Sequence, residues 1–183
     1  MDKLGIIEKS KTAFVEIDIQ DRFNTAIKGI KEVISNARIL IQAAGILNIP
    51  VVATEQYPKG LGRTLREIML PKNAAIIEKL HFSCFGNSEF RNKITALGVE
   101  SLVLFGVEAH VCLLKTALDA LKLNLEVHLV ADAVSSRTLK NKSIALERMR
   151  QSGVFIVSTE MILFQLLEYS GTEEFKAISK LIK

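Results

Sequence analysis

The stretch Leu104-Phe105-Gly106-Val107-Glu108-Ala109-His110-Val111-Cys112-Leu113-Leu114-Lys115-Thr116-Ala117 has the pattern of a buried strand, a short turn and a helix. The turn begins at Gly106, and Cys112 falls in the first turn of the predicted helix. Backbone N–H groups at a helix start are unpaired and carry the positive end of the helix dipole. We therefore expect a lowered thiol pKa at Cys112 and a thiolate available for nucleophilic attack.

Strand and helix patterns alternate on both sides of this stretch. The apolar segments typical of buried strands are residues 12–17, 51–54, 74–78, 101–105, 125–131 and 154–157. Helical spacing of apolar residues marks residues 33–47, 89–97, 111–123 and 140–151, and two further helices are predicted from Thr159 onward. Apolar strands joined by amphipathic helices indicate a parallel sheet covered on both faces, with right-handed crossovers. We predict an α/β fold for residues 1–183: a single-domain, three-layer αβα, doubly wound sheet of six parallel strands.

The composition fits one domain with a substantial core. The chain has 183 residues, of which 49% are hydrophobic, and its two cysteines are Cys84 and Cys112. So few cysteines are typical of a reducing compartment. Residues 1–5 lack the layout of a secretory signal, and no apolar run approaches the roughly 18 residues that span a bilayer. We therefore expect a cytoplasmic protein without a membrane partner, with import into an organelle left open.

The charge balance argues against a nucleic-acid partner. The net charge of +4 comes from 24 basic and 20 acidic residues, which is a mild excess. Basic residues gather between Arg137 and Arg150, but Glu147 lies among them and no aromatic residue accompanies them. We interpret this segment as a solvated helix face.

Three polar residues fall at the ends of predicted strands. Asp18 follows the first strand, Lys79 the third, and Cys112 the fourth by way of the Gly106 turn. Because parallel strands end at the same edge of a sheet, we expect the acid, the base and the thiol to converge there, as covalent catalysis requires. Each of them alone is explained as a turn residue, a solvated lysine or a small core residue. Glu16 is harder to explain, since a carboxylate in a buried strand is costly unless it is paired, and an accessible strand end would relieve that cost.

Four motifs along the chain carry a family resemblance. They are Ile17-Asp18-Ile19-Gln20-Asp21-Arg22-Phe23; Lys79 with Phe82-Ser83 and Phe85; Gly106-Val107 with Cys112, Thr116-Ala117 and Ala120; and Asp132-Ala133. Their order and spacing resemble the isochorismatase-like cysteine hydrolases, which include nicotinamidases and N-carbamoylsarcosine amidases. The loop over residues 54–64, TEQYPKGLGRT, is similar to that of the isochorismatase domain-containing proteins, the branch that this chain most resembles.

The resemblance implies a catalytic triad of Asp18, Lys79 and Cys112. In this family the aspartate accepts the thiol proton, the lysine orients the aspartate, and the cysteine attacks a carbonyl carbon to form a thioester. Backbone N–H groups of Glu108 and Cys112 would hold the oxyanion, after a cis peptide bond between Val107 and Glu108. The family's usual Ala-Thr in this turn is replaced here by Glu108-Ala109.

The candidate substrate-binding residues surround this triad. They are Val107 and Glu108 of the cysteine turn, Gln20 of the first motif, and the aromatic residues Phe23, Tyr57, Phe82 and Phe85. Ordinary core packing is an equally open explanation for each aromatic residue. Cys84 lies beside the lysine motif, and we expect it to fill the core rather than line the pocket.

The chain departs from the better-known members where they bind a metal. Nicotinamidases carry metal-binding histidines after the second strand, whereas residues 55–64 here contain none. The three histidines, His81, His110 and His128, are scattered and form no pair at metal-ligand spacing. We therefore predict no catalytic metal and no other cofactor. His110 is also a poor base for Cys112, because two residues so close on a helix start do not face one another.

The leading functional prediction is a metal-independent cysteine hydrolase that cleaves a C–N bond of a small amide or carbamoyl-type substrate through a thioester on Cys112. The alternative from a different class is a binding or scaffold protein on the same fold, without catalysis. Vinyl-ether hydrolysis of isochorismate, without a cysteine nucleophile, and RNA cleavage rank below these. By family analogy we expect a homo-oligomer, either a dimer, a tetramer or a larger assembly. The apolar residues Ile162, Leu163, Leu166 and Leu167 offer surface for association or belong to the monomer core.

Overall fold

The computed structural model describes residues 4–183. Its strands are β1 (Thr12–Ile17), β2 (Val51–Gln56), β3 (Ala75–Lys79), β4 (Ser101–Val107), β5 (Glu126–Ser135) and β6 (Phe155–Val157). They pair in parallel as one sheet in the order β3-β2-β1-β4-β5-β6, which confirms the predicted α/β fold. The helices are α1 (Phe23–Ala26), α2 (Ile30–Ile46), α3 (Pro58–Leu61), α4 (Ser88–Leu97), α5 (Leu114–Lys122), α6 (Leu139–Gln151), α7 (Thr159–Leu166) and α8 (Glu173–Ile182). Within residues 4–183, no helix is both long enough and apolar enough to cross a membrane.

Two cores lie on opposite faces of the sheet, because alternate residues of each strand point to opposite sides. Phe14 of β1 faces the core formed with α2, α7 and α8, which we call the opposite core. Val15 and Ile17 face the other core, formed with α4, α5 and α6. Cys84 and Cys112 belong to this second core, which we call the thiol-side core.

The strand order reverses between β1 and β4. β2 and β3 extend the sheet on one side of β1, and β4, β5 and β6 extend it on the other. Ligands of doubly wound sheets bind beyond the carboxyl ends of the strands at such a reversal. Asp18 directly follows β1, and the segment that carries Cys112 directly follows β4.

Two central strands are longer than predicted. β4 runs to Val107 rather than Phe105, so Gly106 lies inside the strand and not in a turn. β5 runs to Ser135, so Asp132-Ala133 lies within it rather than after it. The two strands stay paired across a register shift beyond Leu104, and this late pairing carries both of them further than their apolar pattern indicates.

The connection from β4 to the following helix also differs from the prediction. Cys112 lies in a π-helical turn, Ala109–Leu113, and α5 begins only at Leu114. The Glu108 carbonyl accepts a hydrogen bond from the Leu113 N–H at 3.3 Å, five residues along the chain. This wider turn is characteristic of π-helical insertions, which occur frequently at functional sites.

Candidate active site

The carboxyl ends of β1, β3 and β4 bring Asp18, Lys79 and Cys112 into contact. Lys79 Nζ lies 2.7 Å from Asp18 Oδ2 and 3.7 Å from Cys112 Sγ. The side chains of Asp18 and Lys79 are fully buried, and Cys112 is 6% exposed. An acid, a cation and a thiol therefore share one small volume beneath the surface.

Asp18 is held by its neighbour strand in an unusual backbone conformation. Its φ of 58° is in the left-handed region, which costs a non-glycine residue about 1–2 kcal/mol. The Asp18 N–H donates to the Thr54 carbonyl at 3.2 Å, and the Thr54 hydroxyl donates to Asp18 Oδ1 at 2.8 Å. Thr54 and Lys79 thus occupy both carboxylate oxygens and fix the direction in which the carboxylate points.

Gln56 is a site residue that the sequence pattern does not reveal. Its Oε1 accepts a hydrogen bond from Lys79 Nζ at 2.7 Å, so the ammonium group is shared among Asp18, Cys112 and Gln56. Gln56 ends β2 directly beside Lys79 in the sheet register. Only the strand pairing brings these two residues together, and one amide at a strand end carries no signal in the sequence.

Gln20, expected to bind substrate, supports the loop beneath the site instead. Its Oε1 accepts from the Gln56 N–H at 2.8 Å, and its Nε2 donates to the carbonyls of Gln56 at 3.1 Å and Gly62 at 2.6 Å. The amide group is therefore engaged with backbone on both sides. Its contribution to Lys79 runs through the position of Gln56.

Burial raises the pKa of the Cys112 thiol, and the negative charge of Asp18 raises it further. The predicted lowering of this pKa is wrong. A helix start shows only the local dipole, whereas the packing of the thiol-side core removes water from the sulfur atom. At neutral pH Cys112 is therefore a thiol, and nucleophilic attack by its sulfur atom would require a base to remove the proton.

The partner groups are suited to removing that proton. Burial raises the pKa of Asp18, although the charge and hydrogen bond of Lys79 and the Thr54 hydroxyl oppose part of the rise. Asp18 is thus a stronger base than an ordinary aspartate. Burial alone would lower the pKa of Lys79, but its attraction to the negative charge of Asp18 outweighs this and raises the pKa. Lys79 therefore stays protonated across the working pH range.

Glu108 links the cysteine turn to the loop after β5. Its peptide bond with Val107 is cis. Its carboxylate is 4% exposed and accepts three hydrogen bonds from Arg137: from the backbone N–H at 2.9 Å, from Nε at 3.0 Å and from Nη2 at 2.7 Å. Glu108 also accepts with its carbonyl inside the π-helical turn, so this one residue anchors the turn at both its side chain and its backbone.

The predicted pocket residues are divided between the rim and the two cores. Tyr57 and Phe82 are 51% and 52% exposed. Tyr57 lines a cleft of about 320 Å³ that also borders Lys79. Phe85 packs edge-to-face on Phe90 in the thiol-side core, with ring centroids 5.1 Å apart.

Phe23 and Val107 lie on the far side of the sheet from the thiol. Phe23 is half-buried against the opposite core, and Val107 is buried within it. The alternation of side chains along β4 sends Val107 away from Cys112.

Cys84 lies beside the triad as a buried residue. Its Sγ is 4.0 Å from Thr54 Oγ1, and burial raises its pKa to about 12. A neutral thiol in an apolar core fits the expected role of a filler.

The histidines take part in local contacts. His110 Nδ1 lies 3.0 Å from Ser136 Oγ, and His128 Nε2 lies 2.9 Å from Glu126 Oε1. Among residues 4–183, no group of three or more His, Cys, Asp or Glu side chains is arranged to hold a metal ion. The absence of a catalytic metal stays a prediction.

Comparison with known sequences gives a consistent result along the chain. The sequence profile of the isochorismatase domain matches residues 12–161. Isochorismatase domain-containing protein 1 of Salmo salar is 42% identical over 180 residues, which cover 98% of this chain and 64% of that protein. Isochorismatase domain-containing protein 2 of Danio rerio is 40% identical over 183 residues, which cover 100% of this chain and 92% of that protein. The chain thus spans less than two thirds of the first relative.

Comparison with solved structures agrees. The structure of MAR1 ribonuclease from Caenorhabditis elegans matches with a TM-score of 0.91 at 39% identity, over 96% of this chain and 91% of that one. A likeness of this extent covers the whole sheet and both of its cores.

Proposed function

This chain belongs to the isochorismatase family, and from that premise we propose that it is a metal-independent cysteine hydrolase. The proposed reaction cleaves a C–N bond of a small amide or carbamoyl-type substrate through a thioester on Cys112. One observation carries the proposal: Lys79 Nζ bridges Asp18 Oδ2 at 2.7 Å and Cys112 Sγ at 3.7 Å within a buried site. Family membership supports hydrolysis, and the buried thiol beside a carboxylate supports covalent catalysis.

The first half-reaction forms the thioester. Cys112 Sγ attacks the carbonyl carbon while its proton passes to Asp18, which is hydrogen-bonded to the thiol. The carbonyl electron pair moves onto oxygen, where the backbone N–H groups of Glu108 and Cys112 would hold it. Losing one such donor typically lowers the rate by about 10²–10³. When the oxyanion collapses, the C–N bond breaks and the proton on Asp18 passes to the leaving nitrogen.

The second half-reaction restores the enzyme. Water attacks the thioester carbonyl carbon and gives a proton to Asp18. The C–S bond then breaks, the acid is released, and the proton returns from Asp18 to the sulfur atom of Cys112. Lys79 remains protonated throughout, and its charge stabilises the negative charge that moves between the sulfur and Asp18.

The test is turnover of a panel of small primary amides and carbamoyl compounds, followed by ammonia release. Acid-quenched samples are analysed by intact mass for an acyl adduct on the protein. We expect Cys112→Ala to lose turnover by about 10³-fold or more and to lose the adduct. Cys84→Ala keeps Cys112 and is the matched control, which retains the adduct.

Other outcomes identify the alternatives. Full activity of Cys112→Ala would contradict the thioester. Turnover of isochorismate by both the wild type and Cys112→Ala would favour vinyl-ether hydrolysis, which needs no thiol. No turnover and no adduct with any substrate would favour the binding or scaffold protein.

RNA cleavage is the second candidate, because the solved relative from Caenorhabditis elegans is described as a MAR1 ribonuclease. Against it, the side chains of Asp18 and Lys79 are fully buried and Cys112 is 6% exposed, which suits a small ligand better than a polynucleotide backbone. A labelled RNA in the same assay tests this candidate. Cleavage by the wild type, lost in Cys112→Ala and strongly dependent on salt, would favour it over the amide.

A further inference from the structure

Glu16 is a buried carboxyl group without a countercharge of its own. It lies in β1 between Ala53 of β2 and Phe105 of β4, and it is 0% exposed. An accessible strand end would have explained a carboxylate at this position, but Glu16 is not accessible to solvent. Its Oε1 accepts one hydrogen bond, from the Ile19 N–H at 2.8 Å. Within residues 4–183, Oε2 has no hydrogen-bond partner.

The single hydrogen bond of Glu16 spans the turn that carries Asp18. Ile19 follows Asp18 directly, so this hydrogen bond joins the residues on either side of Asp18, whose backbone is in the left-handed region. Backbone hydrogen bonds also hold this turn: the Asp18 N–H donates to the Thr54 carbonyl, the Gln20 N–H donates to the Asp18 carbonyl at 2.9 Å, and the Ile19 carbonyl accepts from the Leu65 N–H at 2.9 Å. Glu16 adds a side-chain hydrogen bond to this backbone from within β1 itself.

The nearby cations are committed to other carboxylates. Lys79, the cation that acts on Glu16, pairs with Asp18, and the nearby carboxylate of Glu55 has its own partner in Arg63 Nη1 at 2.7 Å. Asp18 and Glu55 both act on Glu16 as like charges. An ionised Glu16 would therefore be a buried charge held by one backbone N–H, which is strongly unfavourable.

We propose that Glu16 is a positioning residue for Asp18: as a neutral carboxylic acid it holds the Ile19 amide and thereby the base, and its ionisation disables the site. The proposal rests on the proposed role of Asp18 as the base of the hydrolysis. Oε1 is the accepting carbonyl oxygen, and Oε2 carries the proton.

The charges around Glu16 place its ionisation in an accessible pH range. Burial raises its pKa from an ordinary 4.5 to about 8; the Ile19 N–H and Lys79 oppose the rise, and the charges of Asp18 and Glu55 add to it. Above that pH a second negative charge appears beside Asp18, and Lys79, the cation that acts on both carboxylates, is already paired with Asp18. We expect the turn to rearrange and the activity to fall.

The main experiment observes the Asp18 turn by NMR at pH 5–10 in the full chain. Carboxyl ¹³C shifts report the ionisation of Glu16 and of Asp18, with Glu16 assigned by its loss in Glu16→Gln, and the amide shift of Ile19 reports the hydrogen bond. We expect the Glu16 carboxyl and the Ile19 amide to titrate together near pH 8. Glu16→Gln keeps the accepting oxygen and cannot ionise, so the Ile19 and Asp18 signals should stay at their neutral-pH positions. Glu16→Leu should shift both signals at every pH.

The pH profile of hydrolysis is the second measurement. The wild-type rate should fall at least fivefold between pH 7 and pH 9, while Glu16→Gln should change less than twofold over the same range. Glu16→Leu should be at least tenfold slower at pH 7. As the pH rises from 4.5 to 8, the thermal unfolding midpoint of the wild type should decrease relative to that of Glu16→Gln. Over this range the folded carboxyl keeps a proton that the unfolded chain has lost.

Several results would overturn the proposal. The proposed hydrogen bond between a neutral Glu16 and the Ile19 amide is contradicted if the Glu16 carboxyl titrates near pH 4.5. It is also contradicted if the Ile19 amide shift does not change as Glu16 titrates. The positioning role is contradicted if the Asp18 signals in Glu16→Leu are the same as those in Glu16→Gln. If the NMR shifts appear as expected but no amide is hydrolysed, the result supports the hydrogen bond between Glu16 and the Ile19 amide and contradicts the proposed hydrolase activity.

Discussion

The ion pair between Asp18 and Lys79 is the most consequential contact between single residues in this protein. Both side chains are 0% exposed, and their charged atoms are 2.7 Å apart. Removing one partner of such a pair leaves an uncompensated buried charge, which typically costs about 3–5 kcal/mol. Replacing both partners by neutral groups removes that penalty. The pair thus makes the stability of the fold depend on the same residues as the proposed chemistry.

We therefore predict a large coupling between the two positions. Lys79→Met should lower the free energy of unfolding by about 3–5 kcal/mol, and Asp18→Asn combined with Lys79→Met should recover most of that loss. Urea unfolding of the two single variants and the double variant measures the cycle. Lys122→Met is the control, because its pair with Asp119 is largely exposed and should be worth less than about 1 kcal/mol. A loss below about 1 kcal/mol in Lys79→Met would contradict the prediction.

The sequence indicates where the triad residues lie but not their electrostatics. Asp18, Lys79 and Cys112 are placed by a rule of topology, since parallel strands end at one edge. The pKa of Cys112 depends on what packs over the sulfur atom, and no local pattern carries that information. The same holds for Gln56, which meets Lys79 only through strand register.

At the scale of single elements, β4 depends on one glycine. Gly106 has a φ of 123° and pairs with Ile17, the last residue of β1. A Cβ atom at Gly106 would overlap the Ile17 carbonyl group, which is backbone and cannot turn aside. Close approach of the two strands at this point brings the Asp18 turn and the cysteine turn together.

Gly106→Ala should therefore destabilise the fold and separate the Asp18 turn from the cysteine turn. We expect a loss of about 2 kcal/mol or more in the free energy of unfolding, from the unfavourable φ and the overlap together. Gly45→Ala is the matched control, since Gly45 lies in α2 and a methyl group added there would meet no neighbouring group within 4 Å. That variant should gain about 0.5–1 kcal/mol. Equal stability of the two variants in denaturant unfolding would refute the role given to Gly106.

The existence of each element is easier to predict than its ends. The apolar runs and helical spacing identify every strand of the sheet, because these patterns reflect burial on two faces. They place the ends of β4 and β5 too early, at residues 105 and 131, since the last residues of these strands pair across a register shift. The π-helical turn that holds Cys112 is indistinguishable in sequence from an ordinary helix start, because both share the same apolar spacing.

The molecule as a whole leaves several large apolar side chains in contact with solvent. They include Leu4 at 81%, Leu80 at 73%, Tyr169 at 68% and Leu139 at 63% exposure. In α7, Ile162, Leu163 and Leu166 are buried in the opposite core, whereas Met161 and Phe164 are 58% and 43% exposed. Of the two uses left open for α7, its buried residues serve the monomer core.

Self-association stays a prediction, and the buried residues Ile162, Leu163 and Leu166 do not supply its surface. We expect a homo-oligomer, a dimer, tetramer or larger, with a mass that is a multiple of 20.3 kDa. Size-exclusion chromatography with light scattering, repeated over a hundredfold range of concentration, measures it. A constant mass of 20.3 kDa at every concentration would contradict the expectation.

The position of Lys79 in the sheet has a consequence for how the site fails. Asp18 and Cys112 follow the central strands β1 and β4, whereas Lys79 ends β3, which lies at the border of the sheet. Border strands open locally at a lower free energy than central ones. Fluctuations of β3 can therefore withdraw the ammonium group while the acid and the thiol stay in register. On gradual heating, the proposed hydrolysis should accordingly be lost at a lower temperature than the one at which the whole fold unfolds.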